Sequence, residues 1–138
     1  VLGIDFAEQM LELAREKAVE AKVEEICRFE NLNFFDLGTD EQFDYVLLMG
    51  FMDYISDAAT VIKKALELTK RSSFFSFPMA GGILAWQRKI RYKKRCPLYL
   101  YSYEQLLELF QDHPDFLFKI RKIDRDFWVQ VSRREIGE

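Results

Sequence analysis

Apolar and polar positions alternate along the first half of the chain in the order expected of strands and helices. Val1 to Ile4 is an apolar run typical of a buried strand. The segment from Ala7 to Ala21 predicts a helix, because apolar residues recur there at the spacing of one helix face: Met10, Leu13, Ala14, Ala18 and Ala21. Short apolar runs at residues 26–29 and 32–35 then predict a strand with its lead-in, ending at Asp36.

The order of strand and helix repeats in the middle of the chain. Phe43 to Met49 predicts a strongly apolar strand, and Ser56 and Asp57 offer caps for a following helix. The apolar stripe of that helix comprises Ala58, Val61, Ile62, Ala65, Leu66 and Thr69. Ser73 to Phe77 predicts the next strand, which Pro78 should stop because proline cannot donate to a strand ladder.

The last part of the chain predicts further helices and an antiparallel pair of strands. Gly81 and Gly82 precede one amphipathic stretch, and Ser102 and Gln105 have the capping-box spacing that begins a short helix. A turn at residues 124–126 then separates two alternating segments, which predict a β-hairpin. Their apolar positions are Phe118, Ile120, Phe127, Val129 and Val131.

Together these elements predict one α/β domain over residues 1–138. Consecutive strands joined by helices are parallel, with helices on both faces of the sheet, and the C-terminal hairpin adds antiparallel pairing. Ligands bind to such sheets outside the carboxyl ends of the strands. The chemistry is therefore expected near Asp5, Asp36, Gly50 to Tyr54 and Pro78.

Composition narrows the classes of function. The chain has 138 residues, with 20 Lys and Arg against 23 Asp and Glu, and its formal net charge is −3. This balance argues against a general nucleic-acid-binding or membrane-surface protein, and no apolar run is long enough to span a membrane. Cys27, Cys96 and His113 lack the spacing of a metal site, so no metal is predicted and a reducing, cytoplasmic compartment is expected.

Asp5 is the first candidate for chemistry. It lies between a predicted strand and a predicted helix, where a carboxylate can accept the two hydroxyl hydrogens of a ribose ring. Asp5 and Glu8 also have the spacing of a helix N-cap box, so a structural role is an alternative of equal weight.

Several motifs follow one another in a fixed order: GID-x4-M-x3-A around Asp5, FFD ending at Asp36, FDYVLLMGFMDYI over residues 43–55, and SFFSFP ending at Pro78. In this order and spacing they resemble the class I S-adenosylmethionine-dependent methyltransferases. The resemblance covers residues 1–78 and, more loosely, the rest of the chain. It implies a Rossmann-like, mostly parallel sheet with a C-terminal antiparallel hairpin, S-adenosylmethionine as cofactor, and a small molecule as methyl acceptor.

The resemblance assigns four residues to the nucleoside part of the cofactor. Asp5 would bind the ribose hydroxyls, and Phe6 would lie against the adenine. Asp36, together with the backbone of Leu37, would face the adenine amino group. The structural alternatives are that Asp36 is a turn residue and that Phe6, like Met49 further along, belongs to the core.

The same resemblance assigns residues at the end of the strand Phe43 to Met49. Met49 and Gly50 would pass beneath the methionine portion of the cofactor, and the segment from Phe51 to Tyr54 would begin the wall that faces the acceptor. Methyl transfer depends on in-line alignment and needs no covalent intermediate. Asp53 and Tyr54 are the candidates to orient or deprotonate the acceptor, against the alternative that they only pack or cap.

The family's first strand and its Gly-rich loop would lie before Val1. We therefore expect the chain to be a fragment that lacks the N-terminal strand of the sheet. In the family that strand lies between the strand ending at Asp5 and the strand Phe43 to Met49, so both would lose a ladder partner.

A basic run from Arg88 to Arg95 contains six Lys or Arg among its eight residues. A solvated helix end explains it better than a nucleic-acid patch, although Arg88 and Arg91 could bind an anionic acceptor. Two functions remain as alternatives to the enzyme. One is a non-catalytic methyltransferase-like module that binds an anionic partner through residues 88–95. The other is a nicotinamide-dependent dehydrogenase, which shares the acid after the second strand.

Overall fold

The computed structural model describes residues 1–38, 40–81 and 98–134. The chain divides into two compact units, Val1–Glu41 and Gln42–Glu138, which we call the first and the second unit. The first unit contains a two-stranded sheet, and the second contains a four-stranded sheet. None of the described helices is long and apolar enough to cross a membrane.

The first unit is a parallel strand pair joined by a helix. Strand β1 (Leu2–Asp5) pairs with β2 (Arg28–Asn31), and helix α1 (Glu8–Glu20) connects them. A Cβ on Gly3 of β1 would come within 2.8 Å of the Phe29 ring on β2, so the close packing of the two strands favours a glycine there.

The apolar stripe predicted for α1 is wrong in part. Leu11 and Ala18 are the buried residues of this helix, whereas Met10 is 52% and Leu13 is 45% exposed. The sheet beneath α1 has two strands. Such a narrow sheet covers one row of the helix surface, and the row through Leu11 and Ala18 is the one that contacts it.

The segment after β2 also differs from the prediction. The runs at residues 26–29 and 32–35 predict a strand with its lead-in that ends at Asp36, but the strand β2 ends at Asn31 and Phe34–Asp36 forms a 3-10 turn. The side chain of Asn33 accepts a hydrogen bond from the Phe35 backbone N–H at 2.9 Å. This local capping bond favours the turn over a continued ladder.

The second unit confirms the predicted α/β class with an antiparallel C-terminal hairpin. Its sheet has the order β3-β4-β6-β5, in which β3 and β4 are parallel and β6 is antiparallel to both of its neighbours. Two described helices accompany it. The bounds are β3 (Phe43–Leu48), α2 (Ala58–Glu67), β4 (Thr69–Pro78), α3 (Tyr103–Gln111), β5 (Phe116–Ile123) and β6 (Asp126–Arg133).

The core of the second unit forms on one face of this sheet. The apolar stripe predicted for α2 is confirmed, because all of its members are buried, including Thr69 at the start of β4. Phe75 and Phe77 of β4 are fully buried and lie against Phe110 of α3 in edge contacts. The predicted capping box of α3 is present in full at Ser102 and Gln105.

Strands β1 and β3 each have one edge along which no other described strand pairs. Among the described residues β1 pairs with β2, and β3 pairs with β4. Along β3, Tyr45 is 56% and Leu47 is 63% exposed. The helix predicted after Gly82 lies outside the described residues, as does the basic run from Arg88 to Arg95.

Candidate functional site

Asp5 ends β1 with an exposed carboxylate whose Oδ1 accepts the Ala7 backbone N–H at 2.8 Å. The N-cap position of α1 is Ala7, and no side chain caps the helix. The alternative of an N-cap box formed by Asp5 and Glu8 is therefore wrong. Glu8 instead pairs with Arg15 at 2.8 Å, and this hydrogen bond, with a smaller one from Asn31, lowers the pKa of the Glu8 carboxyl.

Phe6 is held by its backbone and presents its ring to solvent. The Asn31 side chain donates to the Phe6 carbonyl oxygen at 3.1 Å, and the Phe6 side chain is 66% exposed. The prediction that a core position could explain Phe6 is thus wrong. Asn31 is a residue that the sequence patterns missed, because its place in register with Asp5 is set by strand pairing and has no local signal in the sequence.

Asp36 and Leu37 follow the carboxyl end of β2. Asp36 is exposed at the end of the 3-10 turn, where its backbone N–H donates to the Asn33 carbonyl oxygen at 2.9 Å, and Leu37 is buried. Asp36 is therefore a turn residue, as the structural alternative stated. Along the chain, Asp36 comes five residues after the carboxyl end of β2, and Asp5 is the last residue of the parallel strand β1.

The segments at and after the carboxyl ends of β1 and β2 therefore present exposed carboxylates, among them Asp5 and Asp36, and the exposed Phe6 ring. Carboxylate oxygens accept hydrogen bonds from hydroxyl and amino groups, and an aromatic ring stacks on a planar base. These are the groups that a nucleoside presents. The chemistry of Asp5, Phe6 and Asp36 thus fits a nucleoside ligand.

Met49 and Gly50 leave the carboxyl end of β3 in the second unit. Met49 is 39% exposed, and Gly50 has a φ of +63°, a left-handed conformation that glycine adopts without steric cost. The Gly50 backbone N–H donates to the Ser76 hydroxyl oxygen at 2.8 Å. The chain turns out of the sheet at this point and exposes the backbone of Gly50.

The turn Met52–Tyr54 follows directly and carries the candidate acceptor-facing residues. Met52 is fully buried, whereas Tyr54 is 51% exposed and Phe51 and Asp53 are half-buried. The Tyr99 backbone N–H donates to the Asp53 carbonyl oxygen at 2.9 Å. The turn is thus held by the buried Met52 side chain and by the Tyr99 hydrogen bond from the segment that leads into α3.

Tyr101 adds a second anchor to this turn. Its hydroxyl donates to the Met52 carbonyl oxygen at 3.4 Å, and its ring meets the Phe77 ring edge-on at 4.9 Å between centroids. Burial, and secondarily the negative charge of Asp53, raises the pKa of the Tyr101 phenol above its usual value. Tyr101 therefore stays protonated and acts as a donor.

This raised pKa predicts a loss of stability in alkali. The folded state favours the neutral phenol, so its contribution is fully present below the usual tyrosine pKa near 10 and is lost as the pH rises above it. We expect the unfolding midpoint of the native chain to fall more steeply with pH, above about pH 10, than that of Tyr101→Phe. Tyr103→Phe, on a half-exposed ring, is the matched control, and equal slopes for all three proteins would contradict the prediction.

A groove of about 740 Å³ also lies between α2 and α3, beside the segment that contains Tyr99. Its polar lining includes Asp57, Glu108, Asp112 and Lys63, and none of the described residues predicted for the site lines it. Two of the predicted site residues, Arg88 and Arg91, lie outside the described residues.

Comparison with known proteins gives one family. Residues 1–111 match a family model described as a methyltransferase domain. Among curated proteins, the chain is similar to the ubiquinone biosynthesis O-methyltransferase of Pasteurella multocida (strain Pm70), with 27% identity over 96 residues. That match covers 62% of this chain and 40% of the relative.

Solved structures show the same fold. The magnesium protoporphyrin IX methyltransferase of Synechocystis PCC 6803, crystallised with S-adenosylhomocysteine, superposes with a TM-score of 0.75 at 19% identity, over 97% of this chain and 64% of that one. An O-methyltransferase family protein of Burkholderia thailandensis gives a TM-score of 0.77 at 17% identity, over 99% of this chain and 44% of that one. The chain thus spans less than two thirds of the length of each of these relatives.

Proposed function

The chain belongs to the methyltransferase domain family, and we propose that it binds S-adenosylmethionine and takes part in methyl transfer to a small-molecule acceptor. The observation that carries this proposal is the family match over residues 1–111, which contains every described residue of the candidate site up to Tyr101. The single-domain organisation and the acceptor class stay predictions.

The described residues fit the nucleoside part of this cofactor. The Asp5 carboxylate is exposed at a strand end, and its Oδ2 accepts no hydrogen bond within the described part of the chain. That oxygen is therefore available to a ribose hydroxyl. The Phe6 ring, 66% exposed, offers a stacking surface for adenine, and Asp36 with Leu37 would meet the adenine amino group.

Met49 and Gly50 would bind the methionine portion through their backbone. A left-handed glycine has no Cβ, so a ligand can approach its peptide groups closely. An added Cβ on Gly50 would meet no heavy atom of the described residues within 4 Å, so none of them fills the space beside it. The open space and the exposed backbone support a ligand-facing role for Gly50.

When bound, S-adenosylmethionine supplies an electrophilic methyl group on a positively charged sulfur. The chain's own contribution would be to align the acceptor and to manage its proton. Asp53 and Tyr54 would orient the attacking group or take up its proton, and Phe51 would form an apolar wall. Tyr101 remains a neutral donor and keeps the turn in place.

Calorimetric titration tests the proposal against its two alternatives. We expect S-adenosylhomocysteine to bind in a one-to-one complex, while NADH and a polyanion such as heparin do not compete with it. Saturable binding of NADH alone would support the dehydrogenase. Salt-sensitive binding of heparin alone would support the binding module that uses residues 88–95.

Transfer of a labelled methyl group then tests the acceptor class. The panel pairs hydroxyl- and amine-bearing small molecules with and without a carboxylate. Preferential labelling of the molecules that carry a carboxylate would support an anionic acceptor. That labelling should be lost in the double variant Arg88→Ala and Arg91→Ala. Equal labelling with and without the carboxylate would contradict it.

A further inference from the structure

The hydroxyl of Ser76 holds the backbone of Gly50 across the sheet. Ser76 lies in β4, one residue beyond Phe75, which is in register with Leu48 of β3. Its Oγ accepts the Gly50 N–H at 2.8 Å, and its side chain is buried, with 8% exposed. The bond therefore joins the end of one parallel strand to the side chain of the next.

The bond to Ser76 satisfies a backbone N–H that lies beyond the end of the parallel ladder. Gly50 lies beyond the parallel ladder that β3 forms with β4 up to Leu48 and has a φ of +63°, and its N–H bonds a side chain of β4 in place of a backbone carbonyl. Glycine reaches positive and negative φ with similar ease, and its own conformational preference does not select the left-handed state. The Ser76 acceptor supplies that selection, because it satisfies the N–H in the observed conformation.

We propose that Ser76 is a positioning residue for the methyl donor. It keeps the Gly50 peptide in the conformation that receives the methionine portion and acts through Gly50, not by contacting the ligand. The inference rests on the proposed function, in which Gly50 faces the cofactor. Removing the hydroxyl would let Gly50 sample other conformations, and ligand binding would then have to restore the left-handed one.

The chain offers a close control on the same strand. Ser72 and Ser76 are four residues apart in β4, and side chains alternate between the two faces of a strand, so both lie on the face opposite Phe75 and Phe77. The Ser72 hydroxyl bonds the Ser132 hydroxyl at 2.9 Å and holds no strand end. Ser72→Ala thus removes one hydroxyl and one hydrogen bond from the same sheet face without touching Gly50.

The experiment compares Ser76→Ala, Ser76→Thr and Ser72→Ala by two measurements. Calorimetry gives the dissociation constant of S-adenosylhomocysteine, and NMR gives the hydrogen-exchange rate of the Gly50 amide without ligand. For Ser76→Ala we expect the dissociation constant to rise about fivefold and the amide to exchange faster. Ser76→Thr, which retains the hydroxyl, and Ser72→Ala should both stay within about twofold of the native chain.

The outcomes separate this inference from the proposed function. Unchanged affinity in Ser76→Ala, with S-adenosylhomocysteine binding intact in the native chain, overturns the positioning role alone. An equal loss of affinity in Ser72→Ala also overturns it, because the effect would then follow sheet stability. Failure of the native chain to bind S-adenosylhomocysteine overturns the proposed function and this inference together, whatever the exchange rate of the Gly50 amide.

Discussion

Replacing Asp5 by asparagine is expected to weaken S-adenosylhomocysteine binding by about 10- to 100-fold, the range for losing hydrogen bonds to a charged acceptor. The carboxylate would accept both ribose hydroxyls, whereas an amide offers one acceptor and carries no charge. Asparagine keeps the shape of the side chain and an oxygen for the Ala7 N–H, which Asp5 Oδ1 accepts at 2.8 Å. The local fold should therefore persist, and calorimetry would report the change in affinity.

Glu12→Gln is the matched control for Asp5→Asn. Glu12 lies in α1, is exposed, and its replacement removes the same unit of charge from the same unit of the protein. We expect the dissociation constant of S-adenosylhomocysteine for Glu12→Gln to stay within about twofold of the native value, because exposed charges at a distance are screened by salt. A similar loss in both variants would mean that net charge drives binding. No loss in Asp5→Asn would remove Asp5 from the nucleoside site.

Helix α2 shows where sequence pattern was sufficient. Its stripe from Ala58 to Leu66 is buried throughout, and Asp57 caps it by accepting the Thr60 N–H at 3.1 Å. Both signals are local: the apolar residues repeat at the helical period, and the cap lies three residues from its donor. The same applies to α3 and its capping box at Ser102.

Strand β4 and the turn at Asp36 show where local pattern failed. The strand begins at Thr69, not at Ser73, because Thr69 pairs with Phe43 of β3, and Ser72 pairs with Tyr45 of β3 and Ser132 of β6. Such pairing is set by neighbours far along the chain and leaves no alternation in the sequence. At Asp36 the pattern suggested a strand, but the Asn33 side chain stabilises a turn.

The candidate site divides in the same way. Asp5 and Gly50 could be predicted because each ends an apolar strand, and ligands bind at such ends. Ser76 and Asn31 could not, since each acts through hydrogen bonds to residues more than twenty positions away. A contact of that kind depends on strand register, which a single sequence does not reveal.

The second large effect is expected at Phe77, the central ring of the second unit. It is fully buried, stacks on Phe75 at 6.1 Å between centroids, and meets Tyr101 and Phe110 edge-on at 4.9 and 6.0 Å. Phe77→Ala removes this ring from three aromatic contacts and leaves a cavity. We expect the free energy of unfolding to fall by about 3 to 5 kcal/mol, measured by urea denaturation.

Two variants keep this expectation testable if Phe77→Ala does not fold. Phe77→Leu retains much of the side-chain volume, so its free energy of unfolding should fall by a smaller amount. Phe74 is half-buried on the opposite face of β4, and Phe74→Ala should lower the free energy of unfolding by about 1 to 2 kcal/mol. Equal losses at Phe74 and Phe77 would place the core on both faces and contradict the one-sided packing. Because the Phe77 ring supports Tyr101, which bonds the Met52 carbonyl, Phe77→Leu should also weaken the alkaline dependence attributed to Tyr101. That coupling would show that the core and the turn carrying Asp53 are held by the same aromatic contact.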